Sequence, residues 1–568
     1  MVGALIVLLM LSACGGASAP PQAQRSVPSA PALAGLPLAA LQGRLTGLVA
    51  PDTMLELNIG LPINSQGLAQ AAQNIYNPSS PSYGHYLTPV QVARQFGASI
   101  AAIRKVSAWL TSQGFQIVSA SPLHTNLVVR ATAAHIASAF RVLLQTRSLN
   151  GQIFFGPSAA PALPSAIAPL VTSITGLTNF SHIMHTPTLK GLVGITEQPT
   201  AGNCTLYGVL GGITRDTIAR TYAYDQLYDK GFQGQGMKIG VIELGDPYNR
   251  DDIANYAACN GDQVHLRNIE VDSPLAAGTG SGEATLDLEM IAGLAPQAEI
   301  LDYQTPQADN VGYLDALNKI AADDQVQVVS ASYGAGEDQF DAAYMAEFNN
   351  TLEVLAVEGI SVFISSGDCA AFTDGVYGQL AVSFPASAPW AIGVGGTNLQ
   401  QGEEIAWSDP NPNKTDCQNT WGTGGGLSKN KGFVRPLWQA GMGVKNQYST
   451  GTRQVPDVAA VADNISVYYT GASSPLGWTL VGGTSAAAPM WAAGSILVDQ
   501  ALQKQGKSLL GGVPTLYQIA NHPGTFQPFH DITQGNNLYY HAGPGWDYAT
   551  GLGTPNFFDI ARVLGALR

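Results

Sequence analysis

The chain has 568 residues, 45% of them apolar and only 12% charged. At about 100–200 residues per domain this length holds roughly two to four domains, and the apolar share excludes wholesale disorder. A formal net charge of -14, from 26 basic and 40 acidic residues, excludes nucleic acid as the main partner, because phosphate binding needs a basic footprint. Sixty-four glycines and 34 prolines suit a loop-rich exported protein, and the low charge density limits self-repulsion in acid.

In chain order, Val2 to Leu11 is an apolar run. It falls short of the roughly 20 residues that span a bilayer and fits the core of an export signal. Leu11-Ser12-Ala13-Cys14-Gly15 resembles a bacterial lipobox, in which Cys14 is lipidated and becomes the new N-terminus, although no Lys or Arg precedes it. Residues 1–14 are therefore read as an export signal, with either a lipid anchor at Cys14 or, as the plainer alternative, ordinary signal cleavage nearby at small residues. The expected location is extracellular, or the outer membrane as a lipoprotein precursor. Residues 15–49 carry Pro20, Pro21, Pro28, Pro31 and Pro37 among Ala, Ser and Gln, the composition of an extended tether. Without Cys14 four cysteines remain, which permits two disulfides in three pairings; Cys369 with Cys417 and Cys204 with Cys259 is the pairing favoured. No Cys/His spacing suggests zinc.

Residues 50–178 alternate short strands and helices. Thr53 to Ile63 reads as a strand, Gly67 to Ile75, Thr88 to Phe96 and Ile100 to Gln113 as helices, Val118 to Ala131 as a broken hairpin, and Thr132 to Phe140 as a further helix. This predicts a small α+β domain with an antiparallel sheet and no cluster able to do chemistry. Residues 179–212 lack periodicity and read as a linker that can be cleaved. Over residues 213–568, apolar runs at Met237 to Leu244, Ala298 to Tyr303, Val326 to Ser332, Ser361 to Ser366 and Trp390 to Val394 alternate with helical stretches such as Ala342 to Glu358. That pattern predicts a largely parallel sheet covered on both faces, with its site at the carboxyl ends of the strands.

Three segments near such strand ends carry chemistry. Val481-Gly482-Gly483-Thr484-Ser485-Ala486 is a glycine turn that delivers Ser485 to the start of a long apolar helix, where an exposed hydroxyl and the helix dipole suit a nucleophile; a simple helix cap is the plainer alternative. In Ser281-Gly282-Glu283-Ala284-Thr285-Leu286-Asp287-Leu288-Glu289, Glu283 and Asp287 share one helical face among apolar neighbours. Two carboxyls there cannot both ionise freely, so one pKa rises; Glu289 is expected on the solvated side. In Ser365-Ser366-Gly367-Asp368-Cys369 an apolar strand ends in a turn that presents Asp368, or merely caps itself with it.

Together and in this order, the Glu-x-x-x-Asp, Ser-Gly-Asp and Gly-Thr-Ser segments resemble the sedolisin family, the serine-carboxyl peptidases. Ser82-Tyr83-Gly84-His85-Tyr86-Leu87-Thr88-Pro89 is similar to a motif of that family's activation domain. The resemblance implies a subtilisin-like, largely parallel sheet covered by helices, preceded by a small α+β, ferredoxin-like activation domain. It implies Ser485 as nucleophile, Glu283 as base, Asp287 as its orienting partner and Asp368 as oxyanion donor, protonated when it donates, so that activity belongs to acid. It further implies that Glu243 supports the carboxyls, that Ser332, Tyr333 and Gly334 line one side of the substrate cleft, and that Gly424, Gly425 and Gly426 line the other. Tyr333 stands where some relatives carry Trp. A His-based triad is disfavoured, since none of the nine histidines lies in a His-Gly-Thr context.

Near the C-terminus, Phe529-His530-Asp531-Ile532-Thr533 and Ala542-Gly543-Pro544-Gly545-Trp546-Asp547 offer hard oxygens. The resemblance implies one structural Ca2+ held by Asp531, the carbonyls of Ile532, Gly543 and Gly545, and Asp547. The reading is thus a secreted, monomeric, acid-active endopeptidase, made as a self-cleaving zymogen with its activation domain in cis, that acts on proteins or peptides. The alternatives are a tripeptidyl exopeptidase of the same fold and a catalytically idle, lipid-anchored binding protein.

Overall fold

The computed structural model describes residues 35–181 apart from 38, residues 211–275, 280–372, 379–409, 421–471 and 477–567, and the backbone of 188–189. The signal, Cys14, most of the tether and most of the linker, with Cys204 and Cys417, lie outside the described residues. Cys259 and Cys369 are each disulfide-bonded, but the favoured pairing involves residues outside that set.

The first domain forms where the sequence patterning places it. Met54–Gly60 alternates so that Leu57 and Ile59 are buried, and it lies between Asn126–Thr132 and Ser173–Thr175 in an antiparallel sheet completed by Gln116–Ala120. Its helices start on side-chain caps: Thr88 forms a capping box with Gln91, Ser99 accepts from the Ala102 N–H, and Thr132 accepts from that of His135. Val106, Leu110, Val129 and Ile136 close its core.

One boundary differs from the expectation. Arg44–Leu48, read as the end of the tether, is a strand paired antiparallel with Leu144–Leu149. All five of its side chains are exposed, so it has no apolar alternation to read.

The second domain is built on an eight-stranded sheet. Its order is Leu266–Glu270, Glu299–Thr305, Lys238–Leu244, Val328–Ala331, Ser361–Ser365, Ile392–Gln400 and Glu403–Ala406, with Val458–Val461 also pairing with Ile392–Gln400. Every pairing in it is parallel except the one to Glu403–Ala406. On one face Gly282–Leu294 and Thr484–Lys504 pack with Ile239, Val241 and Phe363. On the other, Asn310–Asp323 and Ala342–Glu358 pack with Ile242, Leu301 and Val329.

The first domain joins that second layer. Leu68, Ala72, Ile75 and Tyr76 share a core with Leu317, Phe348 and Leu352. The Tyr76 hydroxyl donates to the Ala356 carbonyl at 2.6 Å and accepts from the Gly512 N–H at 2.6 Å, while the Leu87 N–H donates to the Val357 carbonyl at 2.8 Å. Burial of those apolar side chains, at about 25 cal/mol per Å², supplies most of the adhesion.

Candidate active site

Each candidate side chain sits at a strand end or a helix start. Ser281 caps the Gly282–Leu294 helix by accepting from the Glu283 N–H at 3.1 Å, so Glu283 lies in the first turn and Asp287 one turn on. Ser485 is the second residue of the Thr484–Lys504 helix, directly after Gly483. Asp368 follows the Ser361–Ser365 strand, and its Oδ1 accepts from the Thr484 N–H at 2.7 Å and the Thr484 hydroxyl at 2.8 Å. The Gly367 N–H in turn donates to Thr484 Oγ1 at 3.1 Å. The acidic turn and the serine turn are thereby locked together.

Glu283, Asp287 and Ser485 have no exposure, and Asp368 has 5%. Burial first, then the Asp287 charge, pushes the Glu283 carboxyl well above its usual range, and the Ser485 hydroxyl draws it part of the way back. The serine and glutamate are close enough for that influence, yet neither Glu283 oxygen nor Ser485 Oγ is within hydrogen-bond geometry of a partner. Burial also raises Asp287, opposed by the Ser332 hydroxyl, which donates to Asp287 Oδ1 at 2.9 Å and lies 3.4 Å from the Ser485 carbonyl. This is the environment in which carboxyls share protons.

Behind this pair lies more carboxyl than the motifs disclosed. Glu243, on Lys238–Leu244, is fully buried and raised by burial and by the charges of Asp287 and Asp302. Tyr333 donates its hydroxyl to Glu243 Oε2 and lies 3.0 Å from Asp246 Oδ2. One phenolic proton cannot satisfy two carboxylates, so this arrangement asks for a proton on one of them. Asp302, on the neighbouring strand, is fully buried with neither oxygen hydrogen-bonded, and burial pushes it to about 8. The strand register sets Gln304 beside Glu243, so Asp302, two residues earlier, faces the same side. Asp246 and Asp302 escaped the sequence reading. For Asp302 the available signal was an Asp inside an apolar strand run; Asp246 lies past the end of its strand and offered none.

Glu289 also departs from expectation. It is fully buried and accepts from the Tyr468 N–H at 2.9 Å, because its helix is covered on every side, by the sheet and by Thr484–Lys504 and Ile465–Tyr469. A helix enclosed all round has no solvated face.

The proposed cleft residues are placed as follows. Gly424 donates its N–H to the Gly367 carbonyl at 2.7 Å, and a Cβ there would stand 2.0 Å from the Ser366 carbonyl oxygen, so only glycine fits. Gly425 packs against Tyr548, Gly426 against Tyr540, and Gly334 against Ser383 and Phe384. Behind this wall Arg453 and Asp457 form a fully buried bidentate pair, with Nη1 donating to Oδ1 at 2.8 Å and Nη2 bonded to Oδ2.

The two C-terminal segments meet. The Gly545 N–H donates to Asp531 Oδ2 and the Gly543 N–H to Asp547 Oδ2, both at 2.9 Å. Asp547 Oδ1 accepts from the Ala549 and Thr550 N–H groups at 2.8 Å, which fixes its rotamer. Ile532 is buried beside them. Two carboxylates on two facing loops, with the loops' backbone carbonyls, are oxygens of the hard kind that Ca2+ takes.

An activation domain followed by a subtilisin-like sheet, with a serine turn set against buried carboxyls, defines a peptidase precursor. Residues 42–180 match the family described as "Pro-kumamolisin, activation domain", and residues 273–510 match the "Subtilase family". Kumamolisin of Bacillus sp. (strain MN-32) is 31% identical over 499 residues, covering 83% of this chain and 84% of that protein. Sedolisin of Pseudomonas sp. (strain 101) is 28% identical over 535 residues, covering 88% and 85%. Tripeptidyl-peptidase 1 of Homo sapiens is 27% identical over 555 residues, covering 91% and 93%. Among solved structures, Pseudomonas sedolisin complexed with two molecules of pseudo-iodotyrostatin aligns with a TM-score of 0.51 at 24% identity, over 64% of this chain and 98% of that one, a likeness of fold. The chain belongs to the sedolisin family of serine-carboxyl peptidases, and it carries its own activation domain in cis.

Proposed function

We propose that this zymogen is a secreted, acid-active endopeptidase in which Ser485, Glu283, Asp287 and Asp368 carry out peptide-bond hydrolysis. The observation that carries the reading is the convergence of that serine and those carboxyls in one water-poor site, with Glu283 and Asp287 held above the usual carboxylate range. Ser485 Oγ attacks the scissile carbonyl carbon while its proton passes to Glu283. Asp287 holds Glu283 and shares its proton, and Ser332 holds Asp287. Asp368 in its neutral form, the only form of a carboxyl that can donate, serves the developing oxyanion; Thr484 fixes its other oxygen, so the donor is preorganised. Glu283 then returns the proton to the leaving amine, and water releases the acyl group by the same steps in reverse roles. Because Glu283 and Asp287 share one proton, the pair retains one negative charge to receive the Ser485 proton in acid, where a His base would be fully protonated.

Support for zymogen control comes from the enclosed Ser485 and from the linker backbone. Thr188–Leu189 pairs with Val481–Gly482, a few residues ahead of the nucleophile, so the linker passes near the turn that would cut it. We assign one Ca2+ to Asp531, Asp547 and the carbonyls of Ile532, Gly543 and Gly545, where it would brace the C-terminal loops. Export with a lipid anchor at Cys14, and a monomeric state, complete the proposal. Product analysis tests it: a denatured protein incubated with the matured enzyme at pH 4 should yield internal fragments. Release of N-terminal tripeptides alone would assign exopeptidase action instead, the activity in the name of one relative.

A further inference from the structure

A second group of carboxylates lies on the seam between the activation and catalytic domains, away from the residues discussed above. Glu56 is on the activation-domain strand Met54–Gly60, Asp315 is on the catalytic-domain helix Asn310–Asp323, and Asp272 follows the catalytic strand Leu266–Glu270. One oxygen from each lies within 4.8 Å of the others. Asn58, two residues after Glu56, donates its Nδ2 to Asp315 Oδ1 at 2.5 Å. Arg130 Nε pairs with Glu56 Oε2 at 2.5 Å.

Two features set this group apart from an ordinary acidic surface. Three carboxyl groups face one guanidinium at a seam where two domains must adhere. Asp315 is 5% exposed and Asn58 not at all, and each holds an oxygen with no hydrogen-bond partner, Asp315 Oδ2 and Asn58 Oδ1. Buried polar atoms are rarely left so, and an unpaired buried carboxylate oxygen costs far more than a solvated one. Carboxylate oxygens from three separate chain segments, gathered within 4.8 Å of one another, form the donor set of a hard divalent cation.

We propose that Glu56, Asp272 and Asp315, with Asn58 holding Asp315 in place, bind a divalent cation of the Ca2+ type that clamps the activation domain to the catalytic domain. One ligand comes from the activation domain and two from the catalytic domain, so the site exists only in the precursor and is dismantled when the activation domain leaves. It is independent of the peptidase mechanism and of the C-terminal loops.

The test is calorimetric titration of the full-length precursor with CaCl2 at pH 7. Wild type is compared with Asp272→Asn, Asp315→Asn and Asp531→Asn. Asp272 is exposed, so its variant is the one least able to disturb folding. The clamp predicts that Asp272→Asn and Asp315→Asn each bind one equivalent fewer than wild type, and that Asp531→Asn retains that equivalent. Unchanged stoichiometry in Asp272→Asn overturns it, whether or not Asp315→Asn folds.

Discussion

Asp302 offers the sharpest quantitative test of how this protein uses burial. Its carboxyl is pushed from 3.8 to about 8, mainly by burial, with Gln304 and Arg250 pulling the other way. The folded pKa is the higher one. Its favourable contribution is therefore complete below about pH 4 and is lost as pH rises toward about 8. Across that window the folded chain retains a proton that the unfolded chain releases, at about 1.4 kcal/mol per pH unit. From pH 4 to pH 7 this amounts to roughly 4 kcal/mol, an upper figure because Glu243 and Asp287 share the cluster's protons. Asp302→Asn keeps the shape and removes the titration. Urea unfolding of Ser485→Ala precursors, which avoids self-digestion, should show wild type losing a few kcal/mol more than the Asp302→Asn chain between pH 4 and 7. Parallel pH dependences in the two chains would refute the assignment of a buried, proton-retaining Asp302.

Three further outcomes follow from the geometry. Gly483 has φ +149, and a Cβ on it would stand 2.8 Å from Asp368 Oδ2, so Gly483→Ala should displace that carboxyl and lower kcat on the order of 100-fold with the fold retained by circular dichroism. Tyr333→Phe removes the hydroxyl that lowers Glu243, so it should cost about 1–3 kcal/mol in urea unfolding and move the alkaline limb of the rate–pH profile upward; an unmoved limb would disconnect Glu243 from the site. Asp457→Asn leaves Arg453 buried without its counter-charge and should cost about 3–5 kcal/mol by the same measurement.

How much of this could be read from the sequence depends on locality. Glu283 and Asp287 are one helical turn apart, and Gly483 to Ser485 are adjacent, so their grouping is a matter of spacing. The parallel strands declared themselves as uniformly apolar runs because both faces of the sheet are covered. The Arg44–Leu48 strand did not, since its pairing is made by backbone atoms and its side chains are all exposed. Glu289 misled for the opposite reason: helix spacing assigns faces but cannot say that a helix has no outer face. Asp302 stood out only as an Asp inside an apolar run, whereas Asp246 and the Glu56–Asp272–Asp315 group depend on contacts between distant segments, and no local pattern announces those.

The central claim is that a serine and protonated carboxyls, rather than a serine and histidine, cut peptide bonds here. Its most direct measurement is self-processing and cleavage of a denatured protein from pH 3 to 8, with wild type beside Ser485→Ala, Glu283→Gln and Asp368→Asn. The account predicts activity confined to acid in wild type, and its loss together with processing in Ser485→Ala and Glu283→Gln, with Asp368→Asn strongly impaired. Activity peaking at or above neutrality, or surviving Ser485→Ala, would contradict it.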